Sequence, residues 1–222
     1  MSFVKIASFI FALLCCGLPF GLSAQTLITK NFNFADGVYL TLESLQRNAP
    51  DYEWADLTAN LAVNPQTYLT QVEYIAVKDT NDTLTGVYAL TLGGIPYLRL
   101  SPEEGGKELT VFAGLRVRGR YCYYTFENTY VKKIPVSAYN PRNGRPFRTA
   151  VVEREETRIL HRLLDFTTGK ITEFNRDNFL QLIRDDRELT RAVRALQEEE
   201  VAEKLFKSLL IYDDRHPIYV KE

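Results

Sequence analysis

Three hydropathy regimes follow one another along the chain. The first is a short apolar run, Ile6 to Phe20, behind Lys5. The second, from about residue 66 to 174, is dense in Tyr, Val, Thr and Ile and is broken by clusters of Gly, Asn and Asp, the pattern of strands and turns. The third, from about 175 to 212, sets apolar residues three and four apart, the pattern of amphipathic helices.

Before the strand-rich region, residues 25–36 are polar and read as a loosely held arm. Gly37-Val38-Tyr39-Leu40-Thr41-Leu42 reads as a short strand entering a helix. Leu42, Leu45 and Gln46 share a face of that helix, and Asn48 with Pro50 ends it. Trp54 and Leu57 are expected to pack nearby. Thr67–Val77 is expected as a strand, Asp79-Thr80-Asn81-Asp82 as a turn, and Gly86–Leu92 as the returning strand. Gly93-Gly94 predicts a tight reversal into Ile95–Leu100, because glycine tolerates positive φ. Pro96 has no N–H to give a ladder, which puts it at an edge or a strand start.

A loop is expected at Ser101–Lys107, then strands at Leu109–Ala113 and Leu115–Phe126. Tyr130–Tyr139 pairs with Phe147–Val152 across Pro141-Arg142-Asn143-Gly144, where Asn-Gly supplies left-handed turn geometry. Ile159–Phe166 pairs with Lys170–Phe174 across Thr167-Thr168-Gly169. Residues 157–166 also fit helical spacing through Ile159, Leu160, Leu163 and Leu164. Both readings stand, and a strand is expected because the Thr-Thr-Gly turn closes it.

Phe174, Asn175 and Phe179 have the spacing of a hydrophobic staple around a helix N-cap, and Asp185 with Glu188 suggests a second cap. Leu189, Val193 and Leu196, then Val201, Leu205 and Leu209, mark one helical face. Glu200–Lys204 and Glu203–Lys207 are favourable pairs at i,i+4, and His216-Pro217 stops the helix. No repeat or linker divides residues 25–222. The expected fold is one α+β domain: a mostly antiparallel sheet, a meander that could close toward a barrel, with a C-terminal helical pair.

The N-terminus reads as an address. Lys5, the apolar run, and Leu22-Ser23-Ala24-Gln25 follow secretory signal grammar, with cleavage expected after Ala24. The run is too short to span a membrane comfortably and holds Gly17 and Pro19, so no transmembrane segment is expected after processing. Cys15 and Cys16 fit lipid attachment poorly, because Leu14 precedes them. Cleavage removes both and leaves Cys122, so no intramolecular disulfide and no multi-cysteine zinc site is expected.

Two stretches carry a resemblance. Gly37-Val38-Tyr39-Leu40-Thr41-Leu42-Glu43-Ser44-Leu45, followed by Asn48 and Pro50, is one. Leu164-Asp165-Phe166 through Gly169-Lys170-Ile171, then Tyr212 through Arg215-His216-Pro217, is the other. They resemble an uncharacterised family of exported bacterial proteins with a strand-rich middle and terminal helices. The resemblance implies location and architecture and supplies no catalytic residue.

Charge narrows the function classes. With 27 basic and 28 acidic side chains the net charge is −1, which lacks the positive field that drives nucleic-acid binding. There is no Gly-x-Ser-x-Gly elbow, phosphate-cradling glycine loop or His-Glu-x-x-His, and no cofactor is expected. His161 and His216 lie far apart, so no metal site is expected. Arg116, Arg118 and Arg120 alternate and would share one face of a strand continued by Tyr124 and Phe126. That face could bind an anion, or be a solvated sheet face paired with Glu153 and Glu155. Asp213, Asp214, Arg215 and His216 form the densest titratable cluster, readable as a site or as an ordinary helix end. Tyr121, Tyr123, Tyr124 and Phe126 invite a carbohydrate platform, but aromatics in such a strand more often serve core and cross-strand packing, which is the expectation here. The expected function is an exported non-enzymatic binding or assembly domain whose partner is an envelope protein or a glycan. The alternative is a glycan hydrolase using a carboxylate pair.

Overall fold

The computed structural model describes residues 26–105, 109–139 and 141–221, so the expected signal peptide lies outside the described residues. Among the described residues strands make up 43% and helices 24%, with one sheet curled into a half-barrel and helices at the C-terminal end. Every strand pairing is antiparallel.

The stretch expected as a loose arm is pinned: β1 (Leu27–Ile28) pairs with the last strand, β11 (Ile218–Tyr219). Ile28 and Phe34 are buried, and this apolar anchoring is what the polar reading of 25–36 missed. β2 (Gly37–Tyr39) then leads into α1 (Leu42–Gln46), whose N-cap Thr41 forms a capping box with Ser44. Gln46 is buried, and its amide donates to the carbonyl of Phe166.

A strand unforeseen in the sequence follows, β3 (Leu57–Asn64), paired with β4 (Leu69–Val77). Beyond it lie β5 (Ala89–Leu92), β6 (Ile95–Arg99), the single turn α2 (Pro102–Gly105) and β7 (Thr110–Gly114). The six-stranded sheet runs β2-β5-β6-β7-β4-β3. The expected return strand at 86–92 therefore does not run back along β4, which is flanked by β3 and β7 and meets that region only at the Ala76–Thr83 bridge. The Gly93-Gly94 reversal forms as expected, with φ of 59° and 76°. Pro96 sits at the start of a central strand rather than an edge, and its carbonyl accepts from the Leu115 N–H.

Neighbouring residues of this sheet face opposite ways, as the two-residue period requires. Val38, Leu90, Tyr97 and Phe112 enter one apolar cluster. Tyr39, Ala89, Leu98 and Ala113 enter another, shared with the second sheet.

The second sheet is dominated by one hairpin. β8 (Tyr121–Tyr139) has 19 residues and β9 (Pro146–Asp165) has 20, several times a typical strand. The two pieces expected on each side are thus single continuous strands, and of residues 157–166 all but Phe166, which opens the turn, are extended. The turn at 167–169 leads to β10 (Ile171–Glu173) on β9.

Three helices close the chain instead of two: α3 (Arg176–Leu182), α4 (Arg187–Arg194) and α5 (Glu198–Arg215). Asn175 caps α3, and the Phe174 and Phe179 rings meet edge-on at 5.6 Å, completing the staple. The second cap is Asp186, not Asp185, because the Asp186 side chain is the one that accepts from the Leu189 N–H. Leu189, Val193, Leu205 and Leu209 are buried in a third cluster with Tyr121, Tyr123 and Leu163. Among the described residues, no helix is long and apolar enough to cross a membrane.

Candidate functional site

The long hairpin has a root and an arm. Residues directly opposite one another share a face. At the root, Cys122, Tyr124, Phe126, Leu160 and Leu164 point to the six-stranded sheet, while Tyr121, Tyr123 and Leu163 point to the helices. A strand buried on both faces needs an unbroken apolar run, which Tyr121-Cys122-Tyr123-Tyr124 provides.

Beyond Phe126 the burial ends. From Glu127 to Tyr139, and from Pro146 to Ile159, the side chains described are exposed or half-exposed. At about 3.3 Å per residue this arm reaches roughly 40 Å beyond the root. Among the described residues neither of its outer edges is paired with another strand. Ion pairs cross it at Lys132–Glu156, 3.0 Å, and Lys133–Glu153, 3.4 Å. The Arg158 guanidinium lies 5.1 Å above the Tyr130 ring. Further out the exposed side chains include the apolar Val136, Tyr139, Val151 and Val152, with Tyr139 and Val151 each 62% exposed, beside exposed Arg145 and Arg148.

A groove of about 1340 Å³ opens where the helix-facing side of the root emerges from under α3 and α5. Tyr123, Phe174 and Phe206 build its floor through edge-on ring contacts. The Tyr123 hydroxyl and His161 Nδ1 are 2.7 Å apart. Burial, then the nearby Arg116, hold the imidazole below its usual range. Arg116 donates to Thr125 Oγ1 at 3.0 Å and the Thr67 carbonyl at 3.1 Å, and stacks 4.7 Å over Tyr68. Among the described residues three carboxylates line the groove, Asp177, Glu198 and Glu203, and two are engaged: Glu198 pairs with Arg176 at 2.7 Å, and the hydrogen bond from Lys207 holds Glu203 below the usual carboxylate range.

The arginine face expected from alternation does not form. Strand β7 ends at Gly114, and residues 115–120 make a tight bend closed by the Val117–Tyr123 bridge. A bend has no two-residue period, so the three side chains part company. Arg116 goes to the groove, and Arg118 donates to the Lys30 carbonyl at 2.9 Å. Arg120 lies 3.5 Å from Asp185 and 5.7 Å from the rings of both Tyr121 and Tyr212. Glu153 is paired with Lys133 instead. Tyr124 does not continue that face: it is 1% exposed and packed in the core, and the aromatic run of 121–126 is core packing.

The 213–216 cluster sits at the end of α5, where each member has its own task. Asp213 accepts from the Tyr121 N–H, and Arg215 pairs with Asp186 at 2.9 Å and Glu188 at 3.3 Å. His216 caps the helix and stacks on Tyr212 with centroids 4.0 Å apart. Asp214 is exposed beside a small cavity of about 90 Å³. The four do not converge on one point.

Sequence reasoning missed His161, Tyr123 and Tyr68 as neighbours of Arg116. The ladder pairs Thr125 with His161 and sets Tyr123 diagonal to it, on the same face, but only after a register shift between Ala138 and Tyr139 that the Asn-Gly turn does not announce. Compared with protein-family models, curated proteins and solved structures, the chain matches none.

Proposed function

We propose that the protein is an exported, non-enzymatic binding or assembly module of the bacterial envelope, with the ribbon arm as its contact element. One observation carries this reading: a two-stranded ribbon stands clear of the apolar clusters of the core and carries exposed apolar side chains, Val136, Tyr139, Val151 and Val152, on its outer half. Two strands with neither a third strand nor a packed face are marginal in water, and exposed apolar patches mark interaction surfaces. Folding alone gives no reason to maintain such an arm; contact does. The signal-peptide pattern ending at Ala24 supports export.

The hydrolase alternative needs two carboxyl groups across a cleft, one of them protonated at working pH. In the groove, Lys207 keeps Glu203 ionised and Glu198 is bound to Arg176. Those contacts weigh against it.

The test compares the parent with a chain in which residues 129–157 are replaced by Asn-Gly, joining the opposed pair Asn128 and Arg158. Both are expected to be exported, to begin at Gln25 by N-terminal sequencing, and to melt alike. The parent is expected to stay with the envelope fraction and the shortened chain to be released. Equal retention of the two would overturn the reading.

A further inference from the structure

We infer that the outer part of the arm, residues 134–139 and 145–152, seats on an anionic phospholipid surface. This rests on the reading of the arm as a contact element and names what it contacts.

The first ground is charge. Between Glu127 and Glu153 the chain contains no Asp or Glu, but does contain Lys132, Lys133, Arg142, Arg145 and Arg148. The two lysines are answered across the ribbon by Glu156 and Glu153. Arg145 and Arg148 add positive charge further out, in a chain whose net charge is −1. Clustered arginines beside apolar and aromatic side chains suit an anionic headgroup layer.

The second ground is that the arm is apolar on both faces. Ile134 opposes Val152 and Val136 opposes Ala150 on one face, while Pro135 opposes Val151 on the other. A groove or flat surface on a protein covers one face of a ribbon and leaves the other in water. A lipid layer closes round both. A nucleic acid would answer the arginines and leave the valines exposed.

The third ground sets the depth. The ribbon's outer edges carry unpaired backbone groups, which hydrocarbon cannot satisfy. Seating is therefore at headgroup level, where water and phosphate reach the edges. Pro135 and Pro146 lower the number of donors needing a partner. Tyr139, with an apolar ring and a polar hydroxyl, suits that level.

The test places a reporter at the tip. The sequence holds one tryptophan, Trp54, packed against the six-stranded sheet, and it serves as the internal control. A Tyr139→Trp chain is mixed with vesicles of equimolar phosphatidylglycerol and phosphatidylcholine carrying brominated acyl chains, and with phosphatidylcholine alone. Fluorescence from position 139 is expected to shift blue and be quenched only on the anionic vesicles, and parent fluorescence to stay unchanged. Arg145→Gln with Arg148→Gln is expected to weaken partitioning about 25-fold, roughly five-fold per charge, and added salt to weaken it too. Circular dichroism checks that each variant is folded.

Equal quenching on neutral vesicles overturns the inference. Absence of quenching, with sedimentation showing self-association lost on replacing 129–157, makes a second copy the occupant; the lipid inference then falls and the arm's contact role stands. Absence of both, with envelope retention unaltered in the shortened chain, sinks the two together.

Discussion

The backbone N–H of Tyr121, first residue of β8, donates to Oδ1 of Asp213 at 3.0 Å, tying the root of the ribbon to the last turns of α5. Oδ2 of the same carboxyl is shut off from solvent and has no hydrogen-bond partner among the described residues. Gly119 makes room for it, since a Cβ there would come within 2.6 Å of that oxygen. Burial pushes the carboxyl up to about 7.

The pH dependence follows from this pair. The folded chain keeps the Asp213 proton to a higher pH than the unfolded chain, where a carboxyl titrates near about 4. Its contribution is therefore most favourable below about pH 4 and declines as pH rises toward 7. Asp213→Asn keeps an oxygen for the Tyr121 N–H and removes the charge. Urea unfolding should show the variant gaining on the parent between about pH 4 and pH 8, by roughly 1–4 kcal/mol. A gap constant with pH contradicts the assignment.

Position along one strand should decide the cost of truncation. Leu163 in β9 is fully buried between α5 and the root, and Val151 in the same strand is 62% exposed. Leu163→Ala should cost about 2–5 kcal/mol by leaving a cavity. Val151→Ala should stay within about 0.5 kcal/mol. Comparable losses at both sites would mean that the arm is packed in the free chain.

Cys122 should be inert. It is 1% exposed, its Sγ lies 3.3 Å from the Gly119 carbonyl, and burial pushes the thiol up to about 12. Reaction with a thiol reagent needs the thiolate and access to it, so modification should appear only on unfolding. The melting temperature should be insensitive to reductant. Rapid labelling of the native chain at neutral pH would contradict the packing at the root.

Much of the fold was legible because local rules and tertiary structure agree. The Gly93-Gly94, Asn143-Gly144 and Thr168-Gly169 turns fixed three hairpins, and the Phe174-Asn175-Phe179 staple placed a helix start. The failures have physical causes. Alternation at Arg116, Arg118 and Arg120 mimics a strand, but a bend closed by Val117 and Tyr123 interrupts it. The strand at 57–64 is rich in Ala and Asn, which carry little β-propensity. The β4–β7 pairing joins segments far apart in sequence, which no local pattern encodes. The arm was visible only in pieces, because nothing in residues 127–159 says that its two faces lack a core. The groove was invisible because Tyr68, Arg116 and His161 meet only once the ladder is in register.

The most direct measurement is hydrogen exchange on the chain, free and then bound to its envelope fraction, read peptide by peptide. If the arm is the contact element, amides in 130–139 and 146–152 exchange fast in the free chain and slow markedly on binding. The groove walls, around Tyr123, His161 and residues 198–207, stay as they were. Protection confined to the groove, with the arm unchanged, would contradict the account and make the groove the functional site.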